Sequence, residues 1–147
     1  MVHKPKKMIV ANWKMNVTKE EEAEGLFVSI KNVVNKLEYT MMVACPPHMY
    51  VNQVARHVDH RNYRVGGQDD YPEESGSRTG ETSVLMMKNA GAEYVILGHS
   101  ERRHLETKAD VSRKVTAVLE HGMIPIICIG EEQRDRNWKK TIAQQLR

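Results

Sequence analysis

Apolar positions along the chain gather into five short runs: Met8 to Ala11, Met41 to Cys45, Tyr63 to Gly67, Tyr94 to Leu97 and Ile124 to Ile129. They are continuous rather than alternating, the pattern of strands covered on both faces in a parallel sheet. The segments between them repeat at helical spacing instead. Leu26, Ile30, Val33 and Leu37 form one stripe, and Thr18-Lys19-Glu20-Glu21 ahead of it reads as a capping box. Val111, Val115, Val118 and Leu119 form another, closed by Gly122 at the C-cap and by Pro125 soon after. Trp138, Ile142 and Leu146 open a last helix.

Strand and helix therefore alternate about five times, at intervals of roughly 20 to 35 residues, the spacing of βαβ units. The class is α/β with a parallel sheet. Periodicity leaves two layouts open, a doubly wound open sheet or part of a closed barrel, because both use right-handed crossovers of this length. Neither G-x-G-x-x-G after the first strand nor a P-loop motif occurs, so the common nucleotide-binding readings lose ground.

Composition narrows this further. The 147 residues suit one domain, residues 1–147, with 40% hydrophobic and 28% charged residues, a soluble balance. No apolar stretch approaches the roughly 20 residues of a membrane helix, and the apolar segment after the basic start Met1 to Lys7 is too short for a signal-peptide core. Cys45 and Cys128 both lie in apolar runs and read as reduced core thiols of a cytoplasmic protein. The net charge of +3 is spread along the chain without aromatic interleaving, which argues against nucleic acid and permits small anions.

Polar clusters follow the C-terminal ends of the runs: Asn12-Trp13-Lys14-Met15-Asn16, Gln68-Asp69-Asp70, Gly98-His99-Ser100-Glu101-Arg102-Arg103 and Gly130-Glu131-Glu132. In parallel α/β folds ligands bind at that edge. Lys14 is placed to face an anionic ligand, or is a surface lysine. His99 suits an acid, base or hydrogen-bond donor near neutral pH, and a following helical turn would lower its pKa. Ser100 lacks a nucleophile elbow and fits a cap of the next turn. Glu101, Arg102 and Arg103 are either a solvated run or a buried ion network. His57-Val58-Asp59-His60 has two histidines but no third ligand of matching context, so no metal site is assigned.

Taken in order and spacing, Ala11-Asn12-Trp13-Lys14-Met15-Asn16, Thr79-Gly80-Glu81 with Ser83, Gly91-Ala92, Gly98-His99-Ser100-Glu101-Arg102-Arg103 and Pro125 to Gly130-Glu131 resemble triosephosphate isomerase along nearly the whole chain. The resemblance implies a parallel β/α (TIM) barrel and cofactor-free interconversion of dihydroxyacetone phosphate and glyceraldehyde 3-phosphate, a step of glycolysis and gluconeogenesis. It implies that Asn12 and Lys14 bind the triose phosphate substrate and that His99 is the electrophile. Ser100 and Glu101 resemble the supporting neighbours. Thr79 resembles the tip of a loop that reaches into a partner subunit. Two departures, Asp69-Asp70 in place of Asn-Cys and Arg78 in place of an aromatic, put charge near that contact. The connection His104 to Thr107 is about two residues short of the family's.

A whole barrel of this kind takes about 250 residues. The expectation is therefore an incomplete barrel of about five strands and five helices, lacking the C-terminal strands that carry the family's glutamate base and phosphate loops. No general base is found in the chain, which alone should be inactive or weakly active. Its free sheet edges should seek cover in a homo-oligomer or a complementary C-terminal chain. The alternative is a non-catalytic remnant that binds triose phosphate or a protein partner.

Overall fold

Strand follows strand in space as in sequence. The computed structural model describes residues 7–58, 62–131 and 136–145. Within them β1 (Lys7–Asn12), β2 (Thr40–Cys45), β3 (Tyr63–Gly67), β4 (Tyr94–Leu97) and β5 (Ile124–Ile127) alternate with α1 (Glu20–Val34), α2 (His48–Ala55), α3 (Val84–Asn89), α4 (Lys108–Glu120) and α5 (Trp138–Gln145). The sheet order is β1-β2-β3-β4-β5, all parallel, with Asn12 level with Cys45 and Leu97 level with Ile127. A doubly wound sheet reverses its strand order partway across. This one steps in a single direction, as a barrel does, and forms part of a β/α barrel.

The continuous apolar runs have a direct cause in the two faces of this sheet. Met42, Ala44, Tyr63, Val65, Val95 and Leu97 point to the helices and join Phe27, Val51, Val54, Val84, Met87 and Val118 in the main core. Met41, Val43, Cys45, Tyr94 and Ile96 point to the other, concave face and form a second cluster with Ile126 and Cys128. The edge strands differ: Met8 and Ile9 of β1 and Ile124 and Ile127 of β5 are exposed, as free edges require.

Several expectations need correction. The inward face of α1 carries Ala23, Phe27 and Val34, with Ile30 packed beside them, whereas Leu26, Val33 and Leu37 are exposed. The expected stripe shares only Ile30 with the true one. Phe27 decides the rotation, because its ring stacks on Tyr63 of β3 with centroids 4.2 Å apart. Thr18 to Glu21 is not a capping box: Lys19 is the N-cap and makes no side-chain bond, and Glu20, Glu21 and Glu22 suit the helix dipole instead. Leu119 of α4 is also exposed, while Val111, Val115 and Val118 pack inward as expected.

The capping box lies in α4, where the Thr107 hydroxyl accepts from the Asp110 N–H and the Asp110 carboxylate accepts from the Thr107 N–H. Gly122 closes that helix at φ 71°, a conformation glycine adopts without strain. β5 ends at Ile127 rather than Ile129. Asp59, His60, Glu132 and Leu146 lie outside the described residues.

Candidate active site

At the C-terminal edge of the sheet, side chains from the exits of β1, β2, β3 and β4 surround one cavity of about 560 Å³. Its walls include Asn12, Lys14, His48, Gln68, Asp69, His99, Glu101 and Arg102. Of the residues picked from sequence, the structure brings Asn12, Lys14, His99 and Glu101 together here. Ser100 and Thr79 are exposed outside this lining, Thr79 in the loop between β3 and α3.

Lys14 is held at three points. Its φ is +54°, the left-handed region, and no other non-glycine among the described residues has a positive φ. Such a conformation costs about 1 to 3 kcal/mol and persists only where the surroundings fix it. The Lys14 N–H donates to Asn12 Oδ1 at 2.9 Å, and its carbonyl accepts from Gln68 Nε2 at 2.9 Å. The ammonium donates to Glu101 Oε1 at 2.8 Å and holds that carboxyl below its usual range. The pair is half exposed, so it does more to aim the ammonium than to hold the fold.

Gln68 is the joint of this arrangement, because the same Nε2 also donates to the Cys45 carbonyl at 2.9 Å. One amide thus ties the β1 exit to the β2 exit. Replacing it with leucine leaves the Lys14 carbonyl without this donor, while the Cys45 carbonyl keeps the Trp13 N–H at 3.0 Å. The loss is that of an ordinary hydrogen bond, about 0.5 to 1.5 kcal/mol. A Gln68→Leu chain is expected to unfold earlier in urea, and Lys14 amide exchange should quicken more than that of α1.

His99 follows Gly98, whose φ of +66° turns the chain sharply off β4. The Glu101 N–H donates to His99 Nδ1 at 3.2 Å. With Nδ1 accepting, a neutral imidazole carries its hydrogen on Nε2, a donor for a ligand oxygen. Residues 100–105 form turns, and α4 starts only at Lys108, so Thr107 rather than Ser100 caps the helix.

The charge run 101–103 splits between the two readings left open for it. Glu101 is solvated. Arg102 joins a buried network: its Nε lies 2.8 Å from Asp69 Oδ2 and 2.7 Å from Glu106 Oε1, and Lys114 Nζ lies 2.8 Å from both carboxylates. Burial pulls both carboxyls upward and the cations pull them down. The cations prevail at Glu106, burial at Asp69. Arg103 spans instead to the β5 exit, donating to the Gly130 carbonyl at 2.8 Å.

Sequence reading passed over His48, Glu106 and Lys114. His48 was within reach, since it follows β2 on the same edge as the other clusters. Lys114 and Glu106 were not, because nothing local distinguishes a buried lysine from a surface one. Among the described residues no cluster of three or more His, Cys, Asp or Glu suits a metal. His57 pairs with Glu24 instead, at 3.2 Å. Glu131 is half-buried beyond β5 and does not line the cavity.

Known proteins supply the comparison. The family model for triosephosphate isomerase matches residues 7–147. The triosephosphate isomerase of Psychromonas ingrahamii is 39% identical over 136 residues, covering 91% of this chain and 54% of the relative. That of Clostridium botulinum is 42% identical over 141 residues, covering 93% of this chain and 56% of the relative. The crystal structure of triosephosphate isomerase from Bartonella henselae aligns with a TM-score of 0.81 at 31% identity, over 95% of this chain and 58% of that one. The chain spans about half the length of the curated relatives it matches.

Proposed function

Since the chain belongs to the triosephosphate isomerase family, we propose that it supplies the electrophilic side of an isomerase interconverting dihydroxyacetone phosphate and glyceraldehyde 3-phosphate, without a cofactor and in the cytoplasm. The observation that carries this reading is the meeting of His99, the Lys14 ammonium and Asn12 at one cavity. His99 polarises the substrate carbonyl and moves a proton between the two oxygens. Lys14 offsets the charge of the phosphate and of the developing enediolate, and fixed charges aimed where charge develops are strong catalytic devices. Asn12 orients Lys14 and the substrate together. Glu101 and Ser100 support that turn, and Thr79 at its exposed loop is the contact with a partner subunit. Residues 1–147 act as one partial domain.

Abstraction of the carbon-bound proton needs a base. Among the described residues the carboxylates lining the cavity are Asp69 and Glu101, and both are spent on ion pairs. The 147 residues alone are therefore expected to turn over triose phosphate weakly or not at all, and a chain carrying the later β/α units is expected to complete them. A coupled isomerase assay on the chain, with and without such a polypeptide, tests this. Activity that appears on mixing supports the reading. No activity in either sample, with retained binding of a triose phosphate analogue or a protein, favours a non-catalytic binding role. The exposed apolar edges Met8-Ile9 and Ile124-Ile127 are the observation behind that second reading. No helix among the described residues is long and apolar enough to cross a membrane.

A further inference from the structure

Behind the cavity, where β3 leaves the sheet beside the first turn of α2, lies a carboxyl that none of the roles above uses. Asp70 is fully buried, and neither of its oxygens has a hydrogen-bond partner among the described residues. Its carboxyl sits over the Cα of Gly67, where an added Cβ would meet Oδ1 at 3.2 Å and the methyl of Met87 at 3.2 Å. A bare carboxylate in such a dry seat is costly, and buried polar groups without partners are rare enough to call for an explanation.

The nearest ionisable ring belongs to His48, whose Nε2 lies 3.8 Å from Asp70 Oδ1. At 3.8 Å the two groups form an ion pair only when a proton is present, and the Asp69 carbonyl beside the ring favours the charged imidazole. Asp70 is therefore an uncompensated charge unless one more proton is present, either on its own oxygen or on the ring. Both arrangements hold the same single proton, so they are two microstates of one pair.

We propose that His48 and Asp70 hold one proton between them, and that this shared proton is a positioning device that keeps Gln68 and Asp69 seated in the cavity wall. Asp70 follows Asp69 directly and stands two residues from Gln68, the side chain that fixes Lys14. When the proton leaves, Asp70 must carry a charge in a dry seat next to the Asp69 carboxylate, and the β3 exit is pushed outward. The proposal holds whether or not the chain is an isomerase.

The surroundings set the sign. Burial, and then the Asp69 carboxylate on the same segment, push the Asp70 pKa up to about 8 against the pull of Lys114 from α4. From α3 the methyl of Met87, an apolar group, closes the same space over Gly67. His48 is pushed down by burial, up by the Asp69 carbonyl, down by Arg102 from the turn after β4 and up by Glu81 from the loop. Unfolded, an aspartate titrates near about 3.9. The stability linked to the proton is thus fully present below about pH 4, is lost progressively as pH rises toward about 8, and is gone above it.

The test compares the full chain with Asp70→Asn by urea unfolding from pH 5 to 9. The ratio of their unfolding constants should move against the wild type by about tenfold per pH unit below pH 8 and then level off. Nitrogen NMR of the histidines supplies the positioning readout. In the wild type the His48 ring and the Gln68 and Lys14 amides should move together through one alkaline midpoint, and all three movements should vanish in Asp70→Asn. A pH-independent ratio, or a His48 transition unchanged by the substitution, overturns the proposal. If the variant does not fold, a wild-type His48 ring that stays still from pH 6 to 10 overturns it equally.

Discussion

Replacing Lys114 with methionine is expected to remove about 3 to 5 kcal/mol of stability, the usual cost of breaking a buried ion pair from one side. Lys114 is the hub of a network in which its ammonium touches Asp69 and Glu106 at 2.8 Å, with all three side chains under a tenth exposed. Methionine fills the volume but leaves two carboxylates with only Arg102 between them. Urea unfolding at pH 7 reads the loss. As pH falls, Asp69, held above its usual range by burial, takes up its proton first and Glu106, held below it by the cations, last, and the deficit should shrink through that window. A deficit that stays constant across pH would mean that packing, not charge, is what Lys114 supplies. The loss should also reach the cavity, because Asp69 and Arg102 line it.

The second large effect concerns chemistry. In an active assembly containing this chain, His99→Gln should lower kcat by about 10² to 10⁴-fold, the usual range for a positioned proton-transfer group. Glutamine keeps a hydrogen-bond donor at the site but cannot pass a proton between two oxygens. KM should change far less than kcat, since the group acts on the reacting carbonyl rather than on the phosphate. Equal losses in binding and turnover would reassign His99 to substrate binding. A variant as active as the wild type would remove it from the chemistry altogether.

Much of the fold was legible in the order of apolar runs and polar clusters. The five runs gave five strands with ends within two residues of those observed, because a strand buried on both faces admits few polar residues. The direction of the sheet was not in the periodicity, since right-handed crossovers serve both layouts. It came from motif resemblance and then from the strand order itself. The rotation of α1 was misread because Leu26, Val33 and Leu37 are as apolar as the true inward set, and only the Phe27–Tyr63 stack separates the two. At the candidate site, Asn12, Lys14 and His99 stood out through their place after strands. Gln68 was seen as part of a cluster, but its grip on two carbonyls was not visible. Lys114 depends on contacts across the fold, one of them with a residue 45 positions away, and no local pattern encodes that.

The sequential strand order has a kinetic consequence. Paired strands are close along the chain: Lys7 meets Thr40, Met42 meets Tyr63, Gly66 meets Tyr94 and Tyr94 meets Ile124. These separations are 33, 21, 28 and 30 residues, by subtraction of the paired numbers. Loop-closure entropy grows only logarithmically, so the longest and shortest of these closures differ by about 0.4 kcal/mol. In these four pairings no strand has to wait for a distant one. Each β/α unit can dock on its predecessor as it leaves the ribosome, a vectorial assembly in which nascent chain length, rather than a long-range search, sets the order of events.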